Sequence, residues 1–224
     1  MSLYSKHILP RIVDCGCGGR AFEKQRRRIV PKARGVVLDL GIGTGLNIPL
    51  YDESRVIKII GLDPCENSLG MARKVASDSG IPVEFLQGVG EDIQLDGGSI
   101  DTVVLTYTLC TVRDIDAVLS EVRRVLRPDG EVLFCEHVSA PRRWISRLQN
   151  ICNRPWSLLF GGCQLDRRAA TALRRAKFRV DAQTARLQGA PIPIAWQTTG
   201  YARPLRQGEL PDRCPTGPDL NLSV

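Results

Sequence analysis

Between residues 36 and 138, short β-branched runs alternate with stretches of helical spacing. The runs are GVVLDLG (35–41), VIKIIGLD (56–63), VEFLQG (83–88), IDTVVLTYTL (100–109) and GEVLFCEHV (130–138). Strands this continuously apolar are buried on both faces, as in parallel sheets covered by helices. The intervening segments fit that role. In 114–130, Ile115, Val118, Leu119, Val122, Val125 and Leu126 recur at helical spacing, and Pro128 and Gly130 are expected to stop the helix. The segment 65–80 is a second helix, with Glu66 or Asn67 as its start. The alternation predicts an α/β fold with a doubly wound, mostly parallel sheet.

The pattern changes after residue 138. Residues 166–178 read as a basic amphipathic helix, and 178–187 and 194–204 as two strands around a proline-containing turn. Residues 205–224 are rich in Pro and Gly and read as a mobile tail. A chain of 224 residues with 43% hydrophobic and 25% charged residues suits one domain, here 1–204. Within it, 1–34 are expected to form N-terminal lid helices, 35–138 the cofactor-binding core, and 139–204 a second lid and the last strands.

The first strand ends in Asp39 and runs into Gly41, Gly43 and Gly45. Glycines at a strand's carboxyl end let a ligand approach the backbone closely. A dinucleotide loop would carry glycine or alanine at position 46, which is Leu46, and no Walker-type Lys-Ser/Thr follows. The loop therefore suits a nucleoside without a pyrophosphate. Asp63, 22 residues after Gly41, ends the second strand and can accept from both ribose hydroxyls. Glu91 and Asp92 follow the third strand and can accept from an adenine amino group. Asp39 can organise the loop or face a cationic ligand. An acidic pocket of this kind suits a cation and repels phosphates, which points to S-adenosylmethionine.

Asp39-Leu40-Gly41-x-Gly43-Thr44-Gly45, Asp63, Gly90-Glu91-Asp92 and Arg127-Pro128-Asp129-Gly130-Glu131, in that order, resemble the class I S-adenosylmethionine-dependent methyltransferases. The resemblance implies a Rossmann-like seven-stranded sheet with helical lid segments, and strands six and seven antiparallel to each other. TLCTV (108–112), RRVLRPDGEVLFCEHV (123–138), PWSLLFGGCQL (155–165) and TTGYARP (198–204) are similar to one branch of that family. That branch contains the mammalian membrane-anchored alkyl-thiol S-methyltransferases and bacterial phospholipid or small-molecule methyltransferases. The mammalian apolar N-terminal anchor has no counterpart in MSLYSKHILPRIVDCGCGG, so membrane residence is not carried over.

Methyl transfer from a sulfonium asks the protein to position and deprotonate an acceptor. Residues after strands four and five should form the lip of the site. There Thr106, Pro64 and Leu109 are expected against the cofactor, with His137 as general base or orienting group and Glu136 beside it. Tyr107, Cys110, Tyr4, Trp144 and Trp156 are expected to meet the acceptor. A thiol acceptor, partly ionised near neutral pH, needs only a weak base. An amine or hydroxyl acceptor, as in a lipid headgroup or natural-product intermediate, is the alternative.

Charge is uneven. Residues 36–138 carry eight Lys/Arg against seventeen Asp/Glu, whereas 1–35 carry nine against two and 139–186 eleven against two. The basic flanks allow weak contact with an anionic membrane. Without interleaved aromatic platforms, nucleic acid is not an expected partner. No secretory leader or spanning run of ~18 apolar residues is present, which suggests a cytoplasmic protein with reduced cysteines. Eight cysteines show no zinc-finger spacing, and no metal is expected.

Overall fold

The computed structural model describes residues 18–190, 194–206 and 208–209. Seven strands form one sheet: β1 (Gly35–Leu40), β2 (Val56–Asp63), β3 (Val83–Gln87), β4 (Ile100–Thr106), β5 (Leu126–His137), β6 (Phe178–Arg186) and β7 (Trp196–Pro204). Their order is β3-β2-β1-β4-β5-β7-β6. The first five are parallel, and β7 runs antiparallel to both β5 and β6. The helices are α1 (Arg20–Ile29), α2 (Glu66–Ala76), α3 (Ile115–Val125), α4 (Arg143–Leu159) and α5 (Ala169–Arg175).

Successive residues of each central strand divide between the two faces. Leu38, Ile60, Val103 and Leu105 pack under Val118, Leu119, Val122 and Val125 of α3 and Leu173 of α5. Their neighbours Val37, Ile59 and Val104 pack on the opposite face with Ile29, Val30, Tyr51 and Ile81. This double burial explains why the strands read as unbroken apolar runs.

Two boundaries differ from expectation. The Asp114 carboxylate caps α3 by accepting from the backbone N–H groups of Asp116 and Ala117. That helix ends at Val125, short of Pro128. Leu126 is already extended (φ −67°, ψ 139°) and pairs with Ile100. Pro128 disfavours helical geometry at Arg127, so β5 starts four residues early and joins β4 through a register shift. The basic helix predicted over 166–178 is confined to Ala169–Arg175, and Lys177 turns the chain at φ 62°. The start of the expected tail is tied down: Leu205 donates its N–H to the Lys177 carbonyl, and Arg203 pairs with Glu209.

The last strand pair is held at Gly200, which faces Ala182 on β6 and Phe134 on β5. A Cβ there would stand 2.2 Å from the Asp181 carbonyl oxygen and 2.7 Å from Cα of Ala182. Gly200→Ala must therefore push β6 away from β7. We expect a stability loss of about 1–3 kcal/mol, the usual range for overpacking. Urea unfolding followed by circular dichroism measures it, and an unchanged midpoint would contradict this packing.

Candidate active site

The turn after β1 needs its glycines for distinct reasons. Gly41 and Gly43 lie at φ 74° and 55°, a region unfavourable for other residues. A Cβ on Gly41 would meet Thr108 Oγ1 at 2.5 Å, so this glycine lets β1 and the turn after β4 touch. At Gly43 the nearest atom is the Gly41 carbonyl oxygen at 3.9 Å, which leaves space above the loop.

Two carboxylates fasten this loop. Asp39 is fully buried. It accepts from Asn47 Nδ2 at 3.0 and 3.1 Å and from the Tyr51 hydroxyl at 2.9 Å. Asn47 Nδ2 also reaches Thr106 Oγ1 at 3.0 Å, tying the loop to the end of β4. Burial pushes the Asp39 carboxyl up to about 6, against the opposing hydrogen bonds of Asn47 and Tyr51. Asp63 accepts from the backbone N–H of Gly43 (3.1 Å) and of Cys65 (2.8 Å). Its burial raises the carboxyl pKa, while the two N–H groups oppose the rise. Asn47 and Tyr51 were not singled out from the sequence, although LNIPLY lies directly beyond the last glycine.

The acids after β3 have different surroundings. Glu91 Oε1 accepts from the N–H groups of Arg113 (2.9 Å) and Asp114 (3.2 Å), joining its turn to the start of α3. Asp92 is exposed and accepts from Gln94 Nε2 at 2.7 Å. Pro64 is exposed beside Asp63. Leu109 is fully buried in the core below the loop.

A second group lies at the ends of β4 and β5. Tyr107 adopts φ 60°, rare for a bulky residue. Its hydroxyl donates to Gln197 Oε1 at 2.8 Å. Its ring meets Phe22 of α1 edge-on at 5.3 Å and His137 in a stacked arrangement at 6.4 Å. Glu136 Oε1 accepts from the N–H groups of Thr108 (2.7 Å) and Leu109 (3.0 Å). Those bonds go to the turn after β4 rather than to the imidazole. Burial lifts the Glu136 carboxyl to about 7, and Oε2 has no hydrogen-bond partner among the described residues.

His137 is 6% exposed, and its Nε2 lies 3.1 Å from Cys163 Sγ. Trp156 Nε1 donates to the same sulfur at 3.3 Å, and the Cys110 thiol faces the Tyr107 carbonyl at 3.3 Å. Hydrogen bonds from Cys110 and then from His137 hold the Cys163 thiol well below its usual range. Burial alone would lower the imidazole pKa, but Cys163 outweighs it and raises it. The imidazole is thus engaged by a partner that the sequence did not disclose.

The structure brings His137, Glu136, Tyr107, Cys110 and Trp156 to one place, and Asp39, Asp63, Thr106 and the glycines to the neighbouring one. Trp144, 61% exposed on α4, joins neither. Tyr4 lies outside the described residues. A cavity of about 260 Å³ between α1 and β6–β7 is lined by Gln25, Ile29, Asp181 and Gln197 among others, away from the glycine loop.

A methyltransferase-domain family profile matches residues 38–134. The chain is 34% identical over 181 residues to the thiol S-methyltransferase TMT1A of Homo sapiens, covering 77% of this chain and 72% of that protein. The chain belongs to the class I S-adenosylmethionine-dependent methyltransferases. It is also 31% identical over 144 residues to the phosphatidylethanolamine N-methyltransferase of Cereibacter sphaeroides, covering 59% of this chain and 70% of the relative. An S-adenosylmethionine-dependent methyltransferase from Mesorhizobium loti shares the fold, with a TM-score of 0.63 at 22% identity over 84% of this chain and 100% of that one.

The cofactor of this methyltransferase is S-adenosylmethionine. The residues fit it: the loop is open above Gly43, and Asp63 beside it, only partly buried, suits a cationic nucleoside, whereas Asp39, buried with both oxygens on Asn47 and Tyr51, organises the loop rather than facing a ligand. Among the described residues, no helix is long and apolar enough to cross a membrane.

The buried Asp39 gives a test of this geometry. Its folded pKa of about 6 exceeds the ordinary value of 3.8. Its contribution to stability is therefore full below pH ~4 and lost as pH rises through ~6, a change of about 3 kcal/mol. Asp39→Asn carries no such charge. The melting temperature of the variant relative to wild type should rise between pH 4.5 and pH 7.5, as followed by scanning calorimetry. A difference independent of pH would mean that Asp39 is not held as described.

Proposed function

We propose that this methyltransferase methylates the sulfur of a small-molecule thiol. The observation that carries the reading is the likeness to the thiol S-methyltransferase TMT1A over three-quarters of the chain. The site chemistry supports it. S-adenosylmethionine supplies a methyl group on a sulfonium, already activated for in-line displacement. A thiol near pKa 8.5 is partly ionised at neutral pH and needs little help to attack. The acceptor thiol would lose its proton to solvent or to the His137–Cys163 pair, and its sulfur would take the methyl group as the displaced S–C electron pair stays with the departing thioether.

In this reading Asp63 accepts from the cofactor ribose, while Asp39 keeps the loop in shape through Asn47 and Tyr51. Glu91 and Asp92 border the adenine side. Thr106, at the end of β4, and Leu109, in the turn after it, back the cofactor. His137 faces the acceptor end, with Cys110, Tyr107 and Trp156 around it. Its Nε2 is directed at Cys163, so it acts through that partner and not as an isolated base. Glu136 holds the turn that carries Cys110.

The alternative acceptor is an amine headgroup, favoured by the phosphatidylethanolamine N-methyltransferase likeness. An exposed apolar face of α4, with Trp144, Leu148, Ile151 and Leu158, adds to that case. Release of S-adenosylhomocysteine, measured across alkyl thiols, phosphatidylethanolamine vesicles, amines and phenols, separates the two. We expect turnover with thiols; turnover confined to amines would overturn the thiol reading.

Two variants probe the residue roles. Asp63→Ala should weaken cofactor binding at least tenfold by calorimetry, equivalent to about 1.4 kcal/mol. His137→Gln should lower kcat at least tenfold with the cofactor Kd unchanged. Full activity in His137→Gln would remove this residue from the chemistry.

A further inference from the structure

Cys110, His137 and Cys163 come from the turn after β4, the end of β5 and the turn after α4. Their two sulfurs and a ring nitrogen all lie within 4.8 Å of one another. All three residues are at least nine-tenths buried. A buried convergence of two thiols and an imidazole has a specific coordination chemistry. Two thiolates and one neutral imidazole are a known ligand set for zinc, with a fourth position left to an outside ligand. Soft sulfur ligands select against magnesium, calcium and manganese.

We propose that Cys110, His137 and Cys163 form a binding site for one thiophilic cation of the Zn2+ class.

The distances suit it. Tetrahedral zinc, with bonds of about 2.3 Å to sulfur and 2.0–2.1 Å to nitrogen, places S and N about 3.6 Å apart and two sulfurs about 3.8 Å apart. The His137 Nε2–Cys163 Sγ separation is 3.1 Å, so these atoms need to part by only about half an ångström. The remaining pairs lie within 4.8 Å, so they need to close by about 1 Å at most.

The backbone around each ligand is fixed by bonds that do not use the ligand atoms. The Cys110 carbonyl accepts from the Gln164 N–H at 2.8 Å, which locks the two cysteine-bearing turns together. Gly161 and Gly162, at φ 64° and 91°, reverse the chain after α4 and deliver Cys163 inward. Leu165 N–H donates to Asn153 Oδ1 at 2.8 Å, anchoring the far side of that turn to α4. Glu136 holds the turn bearing Cys110 through two N–H groups. The indole N–H of Trp156 on Cys163 is the kind of outer contact that orients a metal-bound sulfur. Binding releases protons from Cys110 and from the His137–Cys163 pair, because the cation takes two thiolates and a neutral imidazole.

A cation held here stands at the carboxyl ends of β4 and β5. It would lower the pKa of a coordinating thiol, and in that respect the inference deepens the proposed function. The site itself rests on ligand geometry and holds whatever the acceptor proves to be.

The test uses the full chain, purified under reducing conditions and titrated with Co2+ as a spectroscopic probe. We expect a thiolate-to-cobalt charge-transfer band with tetrahedral d–d absorption, saturating at about one equivalent and displaced by Zn2+. X-ray absorption at the zinc edge should fit two sulfur neighbours. Cys110→Ser and Cys163→Ser should each raise the Zn2+ Kd at least a hundredfold, whereas the double variant Cys15→Ser/Cys17→Ser and Cys152→Ser should leave it unchanged. Absence of the charge-transfer band in wild-type protein, a zinc shell without sulfur, or loss of binding in Cys15→Ser/Cys17→Ser alone would overturn the assignment. The wild-type spectra decide the matter even if the serine variants fail to fold. A normal cobalt spectrum without turnover on any thiol would leave the metal site standing and remove the proposed acceptor.

Discussion

The carboxyl edge of the sheet depends on three acids that hold the protein's own polar groups. Asp39 gathers Asn47 and Tyr51, Asp63 takes the N–H groups of Gly43 and Cys65, and Glu136 takes those of Thr108 and Leu109. Burying a carboxylate is unfavourable unless such donors surround it. In return, hydrogen bonds to a charged acceptor are stronger than neutral ones and fix geometry closely. The glycine loop and the turn that carries Cys110 are thereby held by the protein's own groups. The raised pKa values of Asp39 and Glu136 record what burial costs even with those donors in place.

Most of the fold was legible because double burial leaves a plain trace. β1, β2 and β3 lie within a residue of their expected bounds, since an apolar run flanked by glycine or aspartate admits few alternatives. The end of α3 was not legible. Leu126 continues the helical spacing of Val118, Val122 and Val125, and only its pairing with Ile100 pulls it into β5. Periodicity cannot see a partner 26 residues earlier in the chain. α4, expected only as part of a lid without bounds, escaped for another reason: apart from Ile145, which packs with Val138, Ala140 and Trp196, most of its large apolar residues are exposed, so its spacing marks little interior.

The candidate site divides in the same way. Asp39, Asp63 and the glycines follow one another along consecutive strand ends, and their order in sequence is their order in space. Cys110, His137 and Cys163 are brought together by topology alone. Cys163 follows a 17-residue helix and a reversal at two glycines, and no spacing rule links it to His137. A search for close cysteine pairs therefore fixes on Cys15 and Cys17, while the convergent pair is separated by half the core. Glu136 was visible as a residue but not in its work, because the donors it accepts from are backbone N–H groups of another turn.

The two halves of the site meet in three consecutive residues. Thr106 points to Asn47 on the side of the glycine loop. Tyr107 points to Gln197 and lies against His137 on the other. Thr108 returns to the first side, donating to the Leu40 carbonyl at 2.9 Å and filling the space that Gly41 leaves. Neighbouring residues of a strand alternate faces, but a strand alone could not also turn Tyr107 into the space between α1 and β7. The left-handed backbone at Tyr107 makes that possible, at a cost of about 1–2 kcal/mol for a residue with a Cβ. Phe22, Arg26, Gln197 and Glu136 hold the turn in that state. Strain persists only where its surroundings over-determine it, and here those surroundings come from α1, β5 and β7 at once. The same turn then carries Cys110 toward Cys163. Thr108, whose methyl and hydroxyl fill the space beside Gly41, thus joins the turn that carries Cys110 to the glycine loop, as Thr106 does through Asn47.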